Sequence, residues 1–260
     1  MNSMSNDFVN RTYRGFFRSE DLVYFQVKFK QTDLLIGVTR ESYTPDLANR
    51  IEQRVTRLRA QLETYIASHP EFLTSLEPVI LKPGAPEIAL RMSRAARLAG
   101  VGPMAAVAGA FAEEVGRLLD DCPDLIVENG GDLYIRTTRE RLVGVIAGNS
   151  PFSNRIAVRI KPGESPLGVC TSSGTVGPSL SLGRADAAMV KATSASLADA
   201  VATGAGNRVL SKDKLMAAVD YAQGVPGVTG ILVIKDDQMA AWGNIELTPI
   251  NSIRETDEHR

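Results

Sequence analysis

Two oxygen-bearing side chains four residues apart open the chemical reading of this sequence. They stand in Ser196-Leu197-Ala198-Asp199-Ala200-Val201-Ala202-Thr203-Gly204. On a helix, positions i and i+4 share one face, so the Asp199 carboxylate and the Thr203 hydroxyl point the same way. A carboxylate plus a hydroxyl is a partial shell for Mg²⁺, which waters and substrate phosphates complete. The same segment has a reading without any ligand. Ser196 caps the helix and Asp199, three residues on, reaches back in a capping box. That alternative leaves Thr203 unexplained.

Two further segments carry donors and glycines where a ligand needs them. Glu128-Asn129-Gly130-Gly131-Asp132 joins two strand-like runs. Asn and Gly supply the positive φ of a tight hairpin turn. They also let a ligand approach the backbone closely, with Asp132 presenting a carboxylate, and both readings hold together. Gly168-Val169-Cys170-Thr171-Ser172-Ser173-Gly174-Thr175-Val176-Gly177 ends a strand in hydroxyls and glycines. Exposed amides and hydroxyls there can cradle an anion, or form a capped loop. Cys170 has no histidine to activate it and reads as a half-buried structural thiol. Gly100-Val101-Gly102-Pro103-Met104-Ala105 matches GxGxxA as a pattern, but a helical run precedes it where a dinucleotide fold needs a strand.

Composition narrows the chemistry. There are two histidines: His69 in a polar helix end and His259 near the C-terminus. Neither adjoins a motif, so triad hydrolases, zincins and most His-based acid/base catalysts are disfavoured. Cys122 and Cys170 lack CxxC spacing, which argues against zinc ribbons, thioredoxin-type sites and disulfide scaffolds. With 29 basic against 30 acidic residues, the chain carries no nucleic-acid footprint. The start is polar, and no apolar run reaches the roughly 20 residues that span a bilayer. A cytoplasmic chain without membrane attachment is expected. At 260 residues, 44% of them hydrophobic, it builds its core without staples.

The elements that must position these groups follow from periodicity. Val23, Phe25, Val27 and Phe29 alternate in a strand, Gln31-Thr32-Asp33 turns, and Leu34 to Thr39 returns. After Pro45, Leu47, Ile51, Val55, Leu58, Leu62 and Ile66 mark one face of a helix. Arg50, Arg54, Arg57 and Arg59 read as its solvated face. Residues 76–86 connect. Helices are expected at 87–98, 103–120, 196–205 and 211–222. Strands are expected at 125–128, 133–137, 142–147, 156–160, 167–171, 187–191, 229–235 and 239–248. The mixture lacks a regular βαβ rhythm, so the fold class is α+β. Residues 1–248 are expected as one domain and 249–260 as a flexible tail. The alanine-rich 103–120 helix and the strand content are compatible with a homodimer.

Five phrases in fixed order resemble a known family: MAAVAGAFAEEVG (104–116), IVENGGDLYI (126–135), GVCTSSGTVG (168–177), GRADAAMV (183–190) and SLADAVATGAGN (196–207). Together they are similar to the ApbE-type flavin transferase superfamily (FAD:protein FMN transferases), and more closely to its ApbE-related branch. The resemblance implies an ApbE-like fold of two interlocked lobes, mostly antiparallel sheet with packed helices, and a flavin nucleotide, FAD or FMN, in the cleft. It implies Mg²⁺ held by Asp199 and Thr203. It places Asn129, Gly130, Gly131, Asp132, Thr171, Ser172, Ser173 and Gly174 beside the nucleotide. Active members split the FAD pyrophosphate, releasing FMN or attaching it to a target threonine.

The sequence also departs from that pattern. The family's His-x-x-[DN]-Pro-x-[ST]-Gly segment is replaced by Gly177-Pro178-Ser179-Leu180-Ser181-Leu182-Gly183, which has no histidine. The family's Ala-Lys-Gly motif is absent: no lysine lies between Lys82 and Lys161, and Glu113-Glu114 stands nearby. The lost cation weakens a diphosphate site. The alternative reading is a non-catalytic accessory on the same scaffold that acts through a protein partner. The ApbE-related branch is associated with sulfur assimilation into homocysteine.

Overall fold

The computed structural model describes residues 19–175 and 182–250. The polar start (1–15), residues 177–181 of the departing interval and residues 251–260 of the expected tail lie outside the described residues.

The chain opens as a hairpin, β1 (Leu22–Phe29) and β2 (Thr32–Thr39), with Phe29 opposite Thr32. The turn is therefore Lys30-Gln31, and Lys30 takes φ 52° there. Helix α1 (Leu47–Ser68) follows, then the short α2 (Glu71–Thr74) and α3 (Glu87–Ala99). The apolar stripe read in the sequence is the face α1 buries: Leu47, Ile51, Val55, Leu58 and Leu62, joined by Tyr65. Gly100 ends α3 in the left-handed conformation (φ 66°), so the GxGxxA match is a helix C-cap. The expected 103–120 helix is a 3₁₀ turn, Pro103–Ala106, followed by α4 (Val107–Leu118).

Strands β3 (Leu125–Asn129) and β4 (Asp132–Arg136) form a second hairpin, and β5 (Arg141–Gly144) and β6 (Ile156–Ile160) a third. Then come β7 (Leu167–Ser172), β8 (Ala187–Ala192), α5 (Ala195–Gly206), α6 (Leu215–Gln223), β9 (Val228–Lys235), β10 (Gln238–Gly243) and β11 (Leu247–Pro249). The expected 239–248 strand is thus two strands. Gly243, at φ 75°, turns the chain from one sheet to the other. Pro249 pairs with Ile156 and the Ile250 amide donates to the Arg155 carbonyl, so the first two residues of the expected tail are bonded to the fold.

The fold is α+β. Eight strands form one antiparallel sheet in the order β1-β2-β3-β4-β7-β8-β9-β10, and β11-β6-β5 form a second. Strand alternation sends successive side chains to opposite faces. Leu125, Val127, Tyr134, Cys170 and Val190 face the helices, in a core shared with α1 and α3–α6. Ile135, Val169, Met189, Leu232 and Ile234 face the small sheet, with Val143 and Val158. Lys191 lies on that second side, almost fully buried, and donates to Glu164 and to the Asn244 carbonyl at 2.8 Å each. Among the described residues, no single helix is long and apolar enough to cross a membrane.

Candidate functional site

Helix α5 lies against β7 because small residues line the contact. A Cβ on Gly168 would stand 2.3 Å from the Ala195 Cα. Helix α4 crosses α5 as closely: a Cβ on Gly109 would stand 2.1 Å from the Ala195 carbonyl oxygen and 2.8 Å from the Asp199 Cβ. Both glycines therefore permit an approach that any side chain would block.

Of the twelve residues of α5, ten are buried; the two that reach the surface are Asp199 and Thr203. The Ala, Val and Leu positions around them pack into the core, leaving Asp199 and Thr203 half-buried on one face. This is the pair that the four-residue spacing singles out.

The capping-box reading does not hold. The cap of α5 is Ser194, whose side chain accepts the Leu197 amide at 3.2 Å. Ser196 lies inside the helix. Asp199 turns away from it toward α4, where its Oδ2 accepts the Gly109 amide at 2.8 Å. The Ala108 amide lies close enough to favour the anion of this carboxylate as well. Helix α4 has no side-chain cap of its own. Asp199 therefore satisfies a first-turn amide of a neighbouring helix, at the positive end of its dipole.

A second carboxylate stands close by. Asn129 and Asp132 face each other at the end of the β3–β4 hairpin, and Gly130 (φ 73°) and Gly131 (φ 111°) form its two-residue turn. Asn129 Nδ2 donates to the Ala108 carbonyl at 3.1 Å, which ties the hairpin to the turn that Asp199 caps. Asp132 is buried and lies opposite Cys170 across the strand pair. Burial, and then the charge of Asp132, push the Asp199 carboxyl well above the ordinary aspartate range, against the two α4 amides that favour its anion. The Cys170 thiol is fully buried, not half-buried as the sequence suggested, and donates to the Ala195 carbonyl at 3.3 Å. Burial and both aspartates push it well above its ordinary value, which removes it as a nucleophile.

The hydroxyl run is divided by the sheet. Ser172, two residues beyond Cys170, faces α5: its Oγ would lie 3.5 Å from a Cβ on Gly206. Thr171, opposite Met189, points to the other face. Ser173 and Gly174 lie past the strand end. There the Gly174 amide donates to the Ala185 carbonyl at 2.9 Å and the Thr175 amide to Ser173 Oγ at 3.1 Å, so both are already committed. Arg184 is exposed, its Cα 3.3 Å from a Cβ built on Gly174. The site thus gathers Asn129, Asp132, Ser172, Asp199 and Thr203 around α5, and leaves Thr171 behind the strand.

Some charged groups whose pairing the sequence does not show support this site. Glu113 and Glu114 are buried on α4 and bind Arg54, Arg91 and Arg117. Of the four arginines read as a solvated face, Arg50 and Arg57 are exposed; Arg54 pairs with Glu114, and Arg59 with Glu63, Thr32 and Gln31. Adjacent acidic residues in a helical run were the available signal, but only packing shows that they point inward. His69 is buried too, bonded to Tyr65 at 3.0 Å with its ring tilted toward Phe72, and its partners are structural. Among the described residues, no group of three or more His, Cys, Asp or Glu could hold a metal ion. A cation here needs hydroxyl, water or ligand oxygens to complete its shell.

Comparison with known proteins places this geometry. A family model described as AbpE bacteria matches residues 14–224. A UPF0280 protein of Methanococcus aeolicus is 36% identical over 230 residues, covering 86% of this chain and 91% of that protein. A UPF0280 protein of Archaeoglobus fulgidus is 40% identical over 227 residues, covering 85% and 92%. Among solved structures, the flavin transferase ApbE from Vibrio cholerae superposes with a TM-score of 0.53 at 13% identity, over 86% of this chain and 97% of that one. The apo flavinyl transferase ApbE of Pseudomonas stutzeri gives 0.52 at 14%, over 85% and 94%. At such identities the likeness is one of fold. The α+β sheet thus finds its counterpart, and the chain belongs to the family described as AbpE bacteria, in company with the UPF0280 proteins.

Proposed function

We propose that this chain binds a flavin nucleotide, FAD or FMN, together with Mg²⁺, as a cytoplasmic protein. The observation that carries the reading is the half-buried face of α5: in a helix otherwise buried, the two positions that are not are a carboxylate and a hydroxyl one turn apart. The donor set fits a hard divalent cation. Two carboxylates repel each other in a poorly hydrated place, and a cation between them offsets both charges. Asp199 and Thr203 would hold the ion, with Asp132 facing it. When bound, Mg²⁺ would supply charge neutralisation at the diphosphate.

The chain's own residues do the rest. The α4 amides fix the Asp199 carboxylate in one orientation. The Gly130-Gly131 turn keeps backbone bare of side chains beside it. Ser172 offers a hydroxyl on the same face. Arg184, at the loop end, offers an exposed guanidinium to phosphate oxygens. FAD pyrophosphate cleavage or FMN transfer is the reaction that this arrangement suits. Titrating purified protein with FAD, with and without Mg²⁺, and separating the products tests it: FMN and AMP that appear only with Mg²⁺ support cleavage.

A second reading is favoured by the histidines. His69, the one histidine among the described residues, is enclosed by Tyr65 and Phe72 and takes no part in the site. On this reading the chain keeps the nucleotide scaffold without turnover and supports sulfur assimilation through a protein partner. Nucleotide binding without product, together with a partner captured on the full chain, supports this alternative.

A further inference from the structure

We propose that Glu113 is a positioning residue of this site: its carboxylate holds the first turn of α5 and so sets where Asp199 meets the amides of α4. The inference rests on the reading of Asp199 as a cation ligand. Glu113 Oε2 accepts the Ser196 amide at 3.3 Å and the Ser196 hydroxyl at 3.1 Å. Gly109, which donates to Asp199, stands one turn earlier on the same face of α4. The two helices are joined at two points, Gly109 to Asp199 and Glu113 to Ser196. The other oxygen of Glu113 takes Arg91 at 3.2 Å and Arg117 at 3.1 Å, and Arg91 also reaches Glu114 at 3.0 Å. Arg54 completes the network from α1.

This arrangement separates two roles within one side chain. The arginine side balances a charge that burial would otherwise penalise. The Ser196 side is purely geometric, because it needs an acceptor oxygen but no charge. A ligand oriented by an outer neighbour loses affinity when that neighbour goes, commonly ten- to a hundredfold. With α5 unpinned at Ser196, Asp199 would keep its chemistry and lose its place.

The test uses the full chain, Mn²⁺ alone as the probe, and the amide resonances of Ala108 and Gly109 as a readout independent of metal. Glu113→Ala is expected to weaken Mn²⁺ binding about ten- to a hundredfold and to move both resonances. Glu113→Gln keeps an acceptor for Ser196 and loses the arginine pairing. It should melt lower yet retain most of the Mn²⁺ affinity and parental resonances. A folded Glu113→Ala protein with parental affinity and unmoved resonances overturns the proposal. So do equal losses in both variants that merely follow their melting temperatures. Should Glu113→Ala fail to fold, Ser196→Ala leaves every arginine pair intact and must move the same resonances in the same direction; unmoved resonances overturn the proposal there. If the parent binds no Mn²⁺, the cation reading falls, and the Ala108 and Gly109 resonances still decide whether Glu113 positions Asp199.

Discussion

The Asp199 carboxylate accepts the Gly109 amide at 2.8 Å, so the side chain expected to hold a cation also caps the neighbouring helix. Both duties favour the carboxylate anion, but its surroundings do not. The α4 N-terminus favours the anion of Asp199, whereas burial and Asp132 oppose it, and the opposition prevails.

That balance gives Asp199 a signed pH dependence. Its folded-state value lies above the ordinary aspartate value of about 3.9. Between the two values the native state holds more protons than the unfolded chain, so stability falls as pH rises through that window. The contribution is fully present below the ordinary value and lost above the raised one. Asp199→Asn should therefore be more stable than the metal-free parent at pH 8, and its melting temperature should change less across the window. It should also lose the melting-temperature increase that Mg²⁺ gives the parent. Thermal melts with and without Mg²⁺, at pH 5 and pH 8, check both parts.

Gly109→Ala should be among the costliest single-methyl additions. The new Cβ would meet the Ala195 carbonyl at 2.1 Å and Asp199 at 2.8 Å, and neither backbone can yield without separating α4 from α5. Overpacking of this kind costs about 1–3 kcal/mol. Urea denaturation should show that loss, and Mg²⁺-dependent nucleotide binding should fall with it. A parental midpoint would contradict the close approach.

Thr171 and Ser172 are adjacent in the chain but should behave oppositely. Ser172 faces α5 and Thr171 faces the second sheet. Ser172→Ala should weaken FAD binding by about 1 kcal/mol, the ordinary worth of one hydrogen bond. Thr171→Ala should leave affinity unchanged. Fluorescence titration of both variants decides it, and equal losses would contradict the assigned faces.

Arg184→Ala should weaken binding of a diphosphate nucleotide by about tenfold and flatten its salt dependence, because the removed charge is exposed and screened by salt. FMN, with a single phosphate, should lose less than FAD. Titrations at 50 mM and 300 mM salt, between which the Debye length falls from about 14 Å to about 6 Å, separate charge from packing.

Away from the site, Asp124 sets an acid limit. Burial would raise its carboxyl, yet hydrogen bonds from Thr138 and Thr137, and then Arg141, hold it well below the ordinary range. The bonds run 2.6 Å and 2.7 Å from the two hydroxyls and 3.0 Å from Arg141. A lowered value stabilises the fold fully above the ordinary carboxylate value and loses that contribution as pH falls through the folded one. Arg141 keeps its bidentate pair with Asp21, so Asp124→Asn should cost about 1.5–3 kcal/mol at neutral pH, the worth of a hydrogen bond to a charged group, and should blunt the acid limb below pH 4. Urea midpoints across pH 3–7 measure both effects.

Much of this protein was legible in local pattern. Alternation at Val23 to Phe29 and the three-to-four spacing from Leu47 to Leu62 require a strand and a helix whatever surrounds them, and both are there. The Asn129 to Asp132 turn follows from the φ that its glycines permit. The Asp199/Thr203 pair follows from helical periodicity alone. Direction between elements did not. A capping box at Ser196 and a tertiary cap on α4 have the same sequence, and only the close crossing at Gly109 selects the second. Likewise Glu113, Glu114 and Arg54 are indistinguishable in sequence from solvated charges, until α1, α3 and α4 bring opposite signs together over two buried carboxylates. Local spacing determines which side chains share a face, because the backbone's own period does that. Which partner the face meets is decided by long-range packing, because partners such as Glu113 and Ser196 stand 83 residues apart.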